Sequence, residues 1–290
     1  MSNHRLPQPP FEVETEHGAL HGIAFDVFGP EAGVPMFWFH GSPSCRLEAR
    51  LLGSWAHEVG RRLVAIDRPG VGRSEPRSRW SMSDVIFDVV QIADYLGWNR
   101  FGVAGGSGGG PFVLAAAALA PERLTFAVSL ACAGAFEHVT AGWVDRIGQW
   151  ATRVPGALDG SFSALRLVAQ ATPPVWVGRA AAPLGWLLGT PSGAWARFAV
   201  EMVREATHHG SHGLAEDTRV LHRPWGFDLE AVRAPVTLVA GDRDPFIPLH
   251  YTQNLKARIP AARLEVATGA DHFQTIFDLP RLTRLTDPGS

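Results

Sequence analysis

The sequence predicts an α/β protein with a mostly parallel central sheet covered by helices on both faces. Three observations lead to this prediction. Short apolar runs alternate with helix-length segments through the first half of the chain, and the alternation returns near its end. The runs are apolar throughout, which is typical of strands buried on both faces. The composition, 46% hydrophobic and 19% charged over 290 residues, suits a well-packed globular protein.

Each element follows from a local pattern. Strand-like alternation around two glycines near the start predicts antiparallel strands within residues 11–28. After them, continuous apolar runs predict buried strands, and amphipathic or alanine-rich segments predict helices. The predicted order is strand 35–39, helix 47–59, strand 62–67, helix 81–98, strand 101–105, helix 111–121, strand 124–133, and then strand 236–241, helix 248–258 and strand 263–267.

The alternation stops at about residue 137 and resumes at about residue 235. Residues 137–222, within this interval, hold five of the ten tryptophans, few charges and no strand periodicity. This pattern predicts an inserted, mostly helical cap over residues 137–222. The sheet domain is then made of two parts, residues 1–136 and 223–290.

Charge and cysteine content exclude several classes of protein. A formal net charge of −2 gives no attraction to nucleic acid or to an anionic membrane. The two cysteines, Cys45 and Cys132, form no CxxC pattern, so we expect no disulfide framework and a cytoplasmic location. The start of the chain lacks the apolar segment of a signal peptide, and no apolar run is long enough to cross a bilayer. The histidines at 208, 209 and 212 match no usual zinc spacing, so we expect no metal and no cofactor.

The most informative stretch is VAGGSGGGP, residues 103–111. It fails the dinucleotide fingerprint, because Pro111 or Val113 stands where the third glycine belongs, and it lacks the lysine of a phosphate-binding loop. It does contain G-x-S-x-G around Ser107, between a predicted strand and a predicted helix, which is the context of a nucleophile elbow. We therefore predict that Ser107 is a nucleophile and that the N–H of Gly108 binds an oxyanion.

A serine nucleophile needs a histidine base and a carboxylate that orients this histidine. In a sheet of this kind the acid and then the histidine follow later strands. The segment GDRDPFIP (241–248) follows one of the last predicted strands, and TGADHF (268–273) follows the other and contains His272. The segment HGSP (40–43) follows an early strand, so the N–H of Ser42 is the predicted second oxyanion donor.

Taken together, these motifs resemble the α/β-hydrolase fold family, in its capped esterase-like branch. The matching segments are HGSP at 40–43, DRPGVGRS at 67–74, GGSGGGP at 105–111, GDRDPFIP at 241–248 and GADHF at 269–273. The resemblance implies a catalytic triad of Ser107, His272 and Asp244, since Asp244 matches the family pattern G-x-x-D-x-x-I/V-P. Asp242 and Asp271 then lie outside the triad.

The resemblance also implies the reaction, which is hydrolysis of a carboxylic ester or lactone of a small hydrophobic substrate. A serine at the elbow argues against haloalkane dehalogenases and epoxide hydrolases, which carry aspartate there. The sequence HGSPS departs from the HGGPG typical of proline iminopeptidases. Four alternatives stay open: a C–C bond hydrolase, a perhydrolase, a methyl esterase of a secondary metabolite, and a small-molecule receptor that does not catalyse.

The sequence also suggests roles for residues outside the triad and the oxyanion hole. The predicted substrate pocket is lined by His40, Trp143, Trp176 and Trp186, and His40 is also expected to shape the oxyanion loop. Asp67 and Arg68 are expected to hold the DRPGVGRS turn together. Pro280 interrupts the 18 residues after His272, which predicts a short closing helix and leaves a homodimer contact open.

Overall fold

The computed structural model describes residues 14–134, 143–172 and 193–287. Eight strands form one sheet in the order β1-β2-β4-β3-β5-β6-β7-β8. β1 pairs antiparallel with β2, and β2 with β4, whereas all other pairs are parallel. The strands are β1 Glu16–Leu20, β2 Ile23–Phe28, β3 Val34–Phe39, β4 Arg61–Ile66, β5 Phe101–Gly106, β6 Leu124–Leu130, β7 Val236–Gly241 and β8 Ala262–Ala267. The predicted fold class is confirmed.

The helices of the described residues follow the predicted alternation. They are α1 Arg50–Glu58, α2 Met82–Tyr95, α3 Gly110–Leu119, α4 Trp143–Arg153, α5 Ala157–Ala171, α6 Gly193–Ala206, α7 His212–His222, α8 Leu249–Arg258, α9 His272–Ile276 and α10 Leu279–Thr286. Single 3-10 turns lie at Arg46–Ala49, Ser107–Gly109, Pro121–Arg123 and Leu229–Ala231. No helix in these ranges is long and apolar enough to cross a membrane.

The apolar character of the strands follows from two cores, one on each face of the sheet. Successive side chains of a strand point to opposite faces. In β3, Phe37 and Phe39 pack into the core that α2, α3 and α8 cover, and Met36 and Trp38 pack into the core that α1, α6 and α10 cover. Because both faces are buried, neither set of alternate positions has to be polar.

Helix α2 shows how local sequence sets an element boundary. The Ser81 hydroxyl accepts the Asp84 N–H, and the Asp84 carboxylate accepts the Ser81 N–H at 2.8 Å, which is a complete capping box. The chain leaves the helix through Gly97, whose φ of 75° lies in the left-handed region. Glycine adopts this conformation without the steric cost that other residues pay.

The closing helix α10 is short, as expected, with eight residues. Helix α10 begins at Leu279, so Pro280 lies in its first turn. A backbone N–H in the first turn has no partner within the helix, so a residue that lacks it fits there. Asp278 caps the same turn, because its side chain accepts the Arg281 N–H at 3.2 Å.

The described part of residues 137–222 is helical, as expected. Helix α6 packs on the sheet domain through Trp195 and Phe198, which belong to one of the two main cores. Helix α7 also lies directly on it, since a Cβ at Gly213 would come within 1.9 Å of the Gly70 carbonyl oxygen. Helices α4 and α5 instead carry exposed apolar side chains, among them Trp150 and Leu167. The assignment of this region as a separate cap stays a prediction.

Candidate active site

Ser107 lies in the sharp turn between β5 and α3. Its φ is 53°, in the left-handed region that residues with a side chain seldom adopt. The turn is held by the Ala133 N–H, which donates to the Ser107 carbonyl oxygen at 3.0 Å. Helix α3 starts at Gly110 with Pro111 in its first turn. This strained conformation at the carboxyl end of a strand is the geometry expected of a nucleophile elbow.

The turn requires glycines because neighbouring atoms lie too close to the backbone to leave room for a Cβ. A Cβ at Gly109 would lie 2.0 Å from the Phe39 carbonyl oxygen, and a Cβ at Gly105 would lie 2.9 Å from the Gly109 carbonyl oxygen. A Cβ at Gly106 would lie 2.6 Å from Ile276 Cγ2, in helix α9. The five glycines around Ser107 are thus explained by packing, as the sequence pattern predicted, and not by phosphate binding.

The structure brings two of the predicted site residues into direct contact. His272 Nδ1 lies 2.7 Å from Asp244 Oδ2, and both residues are buried. The other Asp244 oxygen, Oδ1, accepts the N–H groups of Phe246 at 2.8 Å and Ile247 at 2.9 Å. Three hydrogen bonds therefore hold the carboxylate against the imidazole. Asp242 is exposed and accepts the Gly269 N–H at 2.6 Å.

Helix α9 positions the histidine. His272 is its first residue, and Asp271 caps the helix in a capping box with Gln274. Asp271 thus has a structural partner of its own, as expected of a carboxylate outside the triad. Ile276, at the other end of α9, packs on Gly106, the residue before Ser107.

Because β5, β7 and β8 are parallel, Ser107, Asp244 and His272 all follow carboxyl ends at one edge of the sheet. Among the described residues, however, the Ser107 hydroxyl forms no hydrogen bond with the His272 imidazole. Such contacts are often long in a free enzyme and shorten when a substrate binds.

The two predicted oxyanion donors are neighbours. A Cβ at Gly108 would lie 2.9 Å from Ser42 Cβ and 3.1 Å from Ser42 N, so the loop 40–43 passes directly beside the elbow. Within residues 14–134, 143–172 and 193–287 the Ser42 N–H has no hydrogen-bond acceptor. An N–H group without an acceptor beside the predicted nucleophile is what an oxyanion hole requires.

Glu48 binds the loop 40–43, a role that the sequence did not reveal. Its carboxylate accepts the Gly41 N–H at 3.0 Å and the Trp38 indole N–H at 2.9 Å. Burial raises the pKa of the Glu48 carboxyl above its usual value, and these hydrogen bonds oppose the rise. No local pattern distinguishes this glutamate from a surface residue of a short helix.

Arg68 reaches the same loop from the other side. It donates from Nη1 to the His40 carbonyl oxygen at 2.7 Å and from Nη2 to the Gly41 carbonyl oxygen at 3.1 Å. Its partner is Asp217 of α7, 2.5 Å from Nε. Arg68 holds its own turn, as expected, through its carbonyl oxygen, which accepts the Val71 N–H at 3.0 Å, whereas its side chain binds outside the turn. Asp67 does bind that turn, since its carboxylate accepts the Arg73 N–H at 2.9 Å.

His40 lies behind the oxyanion loop. It is 0% exposed, and its Nδ1 donates to the Gly41 carbonyl oxygen at 2.7 Å. Burial, together with the positive charge of Arg68, holds the pKa of the His40 imidazole well below its usual value. The neutral ring shapes the loop, as expected, but it offers a substrate no accessible surface, which corrects its assignment to the pocket wall.

Of the tryptophans predicted to line the pocket, the structure describes Trp143. Its indole N–H donates to the Pro245 carbonyl oxygen at 3.2 Å, and its ring centroid lies 6.3 Å from that of Phe246. Phe246 in turn packs edge-on against His272, with 5.3 Å between centroids. Trp143 is thus connected to the predicted base through a single aromatic ring. Trp176 and Trp186 lie outside the described residues.

The histidines near residue 210 have other partners. The rings of His208 and His209 contact each other edge to face, and His212 Nδ1 lies 2.9 Å from Asp159 Oδ1. In the part of the chain that the structure describes, no group of three His, Cys, Asp or Glu side chains is arranged to hold a metal ion. Cys45 and Cys132 are both buried, and neither forms a disulfide.

Comparison with known proteins agrees with this fold. The family of the α/β hydrolase fold matches residues 35–279, and the chain belongs to this family. A putative carbamate hydrolase RutD of Caulobacter sp. (strain K31) is 30% identical over 82% of this chain and 88% of its own length. The 2-hydroxymuconate semialdehyde hydrolase of Pseudomonas putida is 26% identical over 97% of this chain and 95% of its own length.

Other similarities are partial or structural. The proline iminopeptidase of Neisseria gonorrhoeae is 30% identical over 42% of this chain, and the match spans 40% of that enzyme. An enol-lactonase from Burkholderia xenovorans LB400 superposes with a TM-score of 0.63 at 18% identity, over 93% of this chain and 97% of that one. The second similarity is one of fold. The two relatives above that match over most of their own length are both named as hydrolases.

Proposed function

We propose that this protein is a serine hydrolase that cleaves a carboxylic ester or lactone of a small hydrophobic substrate. In this proposal Ser107 attacks the carbonyl carbon, while His272 accepts the serine proton and passes it to the leaving group. Asp244 orients the imidazole and stabilises its charged form. The N–H groups of Ser42 and Gly108 bind the oxyanion. Water, activated by His272, then hydrolyses the acyl-enzyme.

The observation that carries the proposal is the placement of Ser107. It occupies a left-handed turn at the same sheet edge as the buried pair of Asp244 and His272, which are joined at 2.7 Å. A serine that only closed a turn would not need an imidazole–carboxylate pair at the neighbouring strand ends. The aromatic contacts of Trp143 and Phe246 beside His272 support an apolar substrate.

The test is covalent labelling by a fluorophosphonate, followed by intact mass measurement. We expect one label on the native protein and none on Ser107→Ala. Ser161→Ala is the matched control, because Ser161 is exposed on α5 and its hydroxyl donates to the Ala157 carbonyl oxygen of the same helix. This control variant is expected to label like the native protein. A folded native protein that takes up no label would refute the proposal and favour a non-catalytic receptor.

Cleavage of a C–C bond is the second candidate. It is favoured by the full-length similarity to a relative named for a semialdehyde substrate and not for an ester. A panel of p-nitrophenyl esters, lactones and a vinylogous diketone separates the two candidates. Turnover of the diketone alone, by a protein that the fluorophosphonate labels at Ser107, would replace the ester proposal with C–C hydrolysis.

A further inference from the structure

The carbonyl oxygen of the peptide group between Gly41 and Ser42 is bound by the buried side chains of Arg68 and His40. We propose that Arg68, anchored by Asp217 of helix α7, is a positioning residue that orients and polarises this peptide so that its N–H binds the oxyanion. The inference rests on the proposed function, since it concerns a donor of that oxyanion hole. It assigns a role in the reaction to a buried ion pair that touches no reacting atom.

The carbonyl oxygen of Gly41 accepts two hydrogen bonds. One comes from Arg68 Nη2 at 3.1 Å and the other from His40 Nδ1 at 2.7 Å. A carbonyl oxygen can only accept, so the His40 Nδ1 carries a proton. In a trans peptide the C=O and the N–H point in opposite directions. Two donors on the Gly41 oxygen therefore aim the Ser42 N–H away from them, toward the elbow.

These donors also strengthen the Ser42 N–H as a donor. A positive guanidinium beside a carbonyl oxygen draws electron density along the peptide, and hydrogen bonds in series reinforce one another where water is excluded. Both Arg68 and His40 are 0% exposed, so solvent does not weaken this effect. The Ser42 N–H, which has no acceptor within the described ranges, is the free end of this series.

Asp217 fixes the guanidinium in place. Its two oxygens accept from Arg68 Nε at 2.5 Å and from Nη2 at 2.9 Å, and both side chains are fully buried. The Phe112 ring lies under the guanidinium, with 4.8 Å from Cζ to the ring centroid. A buried ion pair adds little net stability compared with apolar side chains of the same size. The guanidinium of Arg68 instead donates to two carbonyl oxygens of the oxyanion loop.

A different residue binds the N–H group of Gly41 in this loop. The Gly41 N–H donates to the Glu48 carboxylate at 3.0 Å, on the other side of the same loop. The His40 carbonyl oxygen accepts from Arg68 Nη1 at 2.7 Å. With these three backbone groups engaged, the loop cannot rotate its Ser42 N–H away from the elbow without breaking a charge-assisted hydrogen bond.

The experiment compares kinetics of paired substitutions. Arg68→Met/Asp217→Leu removes both charges together, so that neither is left unpaired in the interior. We expect kcat for a p-nitrophenyl ester to fall on the order of tenfold to a hundredfold, less than the loss that follows removal of a whole donor, with KM unchanged. The affinity for a trifluoromethyl ketone, whose adduct carries an oxyanion, should fall by the same factor as kcat.

The matched control is Arg77→Met/Asp88→Leu. This ion pair is also bidentate, with distances of 2.7 and 3.0 Å, and it contacts no residue of the oxyanion loop. The kcat of this control variant is expected to equal that of the native protein. An equal loss of kcat in the control pair, or a change confined to KM, would overturn the inference.

A spectroscopic readout covers the case in which the paired variant does not fold. In protein labelled with ¹⁵N-serine, the Ser42 amide signal is identified by its loss in Ser42→Ala. We expect this proton to move upfield in Asp217→Asn, because the guanidinium is released from its anchor. An unchanged Ser42 signal would refute the inference while labelling of Ser107 persists. A native protein that neither labels nor hydrolyses esters would refute the proposed function itself.

Discussion

Asp244 and His272 are joined by a hydrogen bond of 2.7 Å, although 27 residues separate them in the chain. The bond joins the loop after β7 to the first turn of α9, and two backbone N–H groups hold the far oxygen of the carboxylate. An imidazole held in this way keeps its proton on Nδ1 and presents Nε2 for proton transfer.

Asp244→Asn is expected to lower kcat on the order of ten-thousandfold, because the amide stabilises the wrong imidazole tautomer and no longer balances the imidazolium. Steady-state kinetics on an ester substrate measure this loss. Asp242→Asn is the control, since Asp242 is exposed and its carboxylate accepts a backbone N–H of the neighbouring loop. If both variants lost the same activity, Asp244 would not be the acid of the triad.

Gly109→Ala is expected to destabilise the fold by about 2 kcal/mol or more, since an overpacked side chain here meets backbone and not a flexible group. The added Cβ would lie 2.0 Å from the Phe39 carbonyl oxygen. Gly160→Ala is the contrasting substitution, because nothing lies within 4 Å of its Cβ in helix α5. It should stabilise the protein by about 0.5–1 kcal/mol through helix propensity. Urea unfolding measures both, and a neutral Gly109→Ala would contradict the packing account.

Glu48→Gln is expected to change the pH dependence of stability. Burial raises the pKa of Glu48 in the folded protein above its unfolded value. The folded chain then binds this proton more tightly, and the stability that this binding adds is lost as the pH rises from the unfolded pKa through the folded one. Glutamine keeps the shape without titrating. The unfolding free energy of the variant minus that of the native protein should therefore increase as the pH rises above the unfolded pKa of about 4.3. Parallel stability curves would show that Glu48 is not the cause.

Trp143→Ala is expected to raise KM for esters with an aromatic acyl group by about threefold to tenfold, the range of one lost aromatic contact. The reason is that Trp143 packs on Phe246 beside His272. Trp150→Ala is the matched control on the same helix, because Trp150 is 61% exposed compared with 52% for Trp143. Equal KM values for the two variants would show that Trp143 does not line the substrate pocket.

Local patterns predicted the elements that depend on local sterics. The spacing of glycines around Ser107 reflects contacts with residues a few positions away or on the neighbouring strand, so it is visible in the sequence. The capping box of α2 is visible for the same reason. Pro280 correctly predicted a short closing helix, whose first residue is set by the Asp278 cap.

The sequence by itself determined the fold class, the turn that holds Ser107 and the order in which the acid and the histidine follow. These depend on periodicity and on short motifs, which act over a few residues. Only the tertiary structure decided how the oxyanion loop is held, because Arg68 meets Asp217 across 149 positions of the chain. A buried carboxylate on a helix has no local signature. Its role depends on which backbone groups the folded chain places beside it, and those contacts exist only once the sheet and its helices have packed.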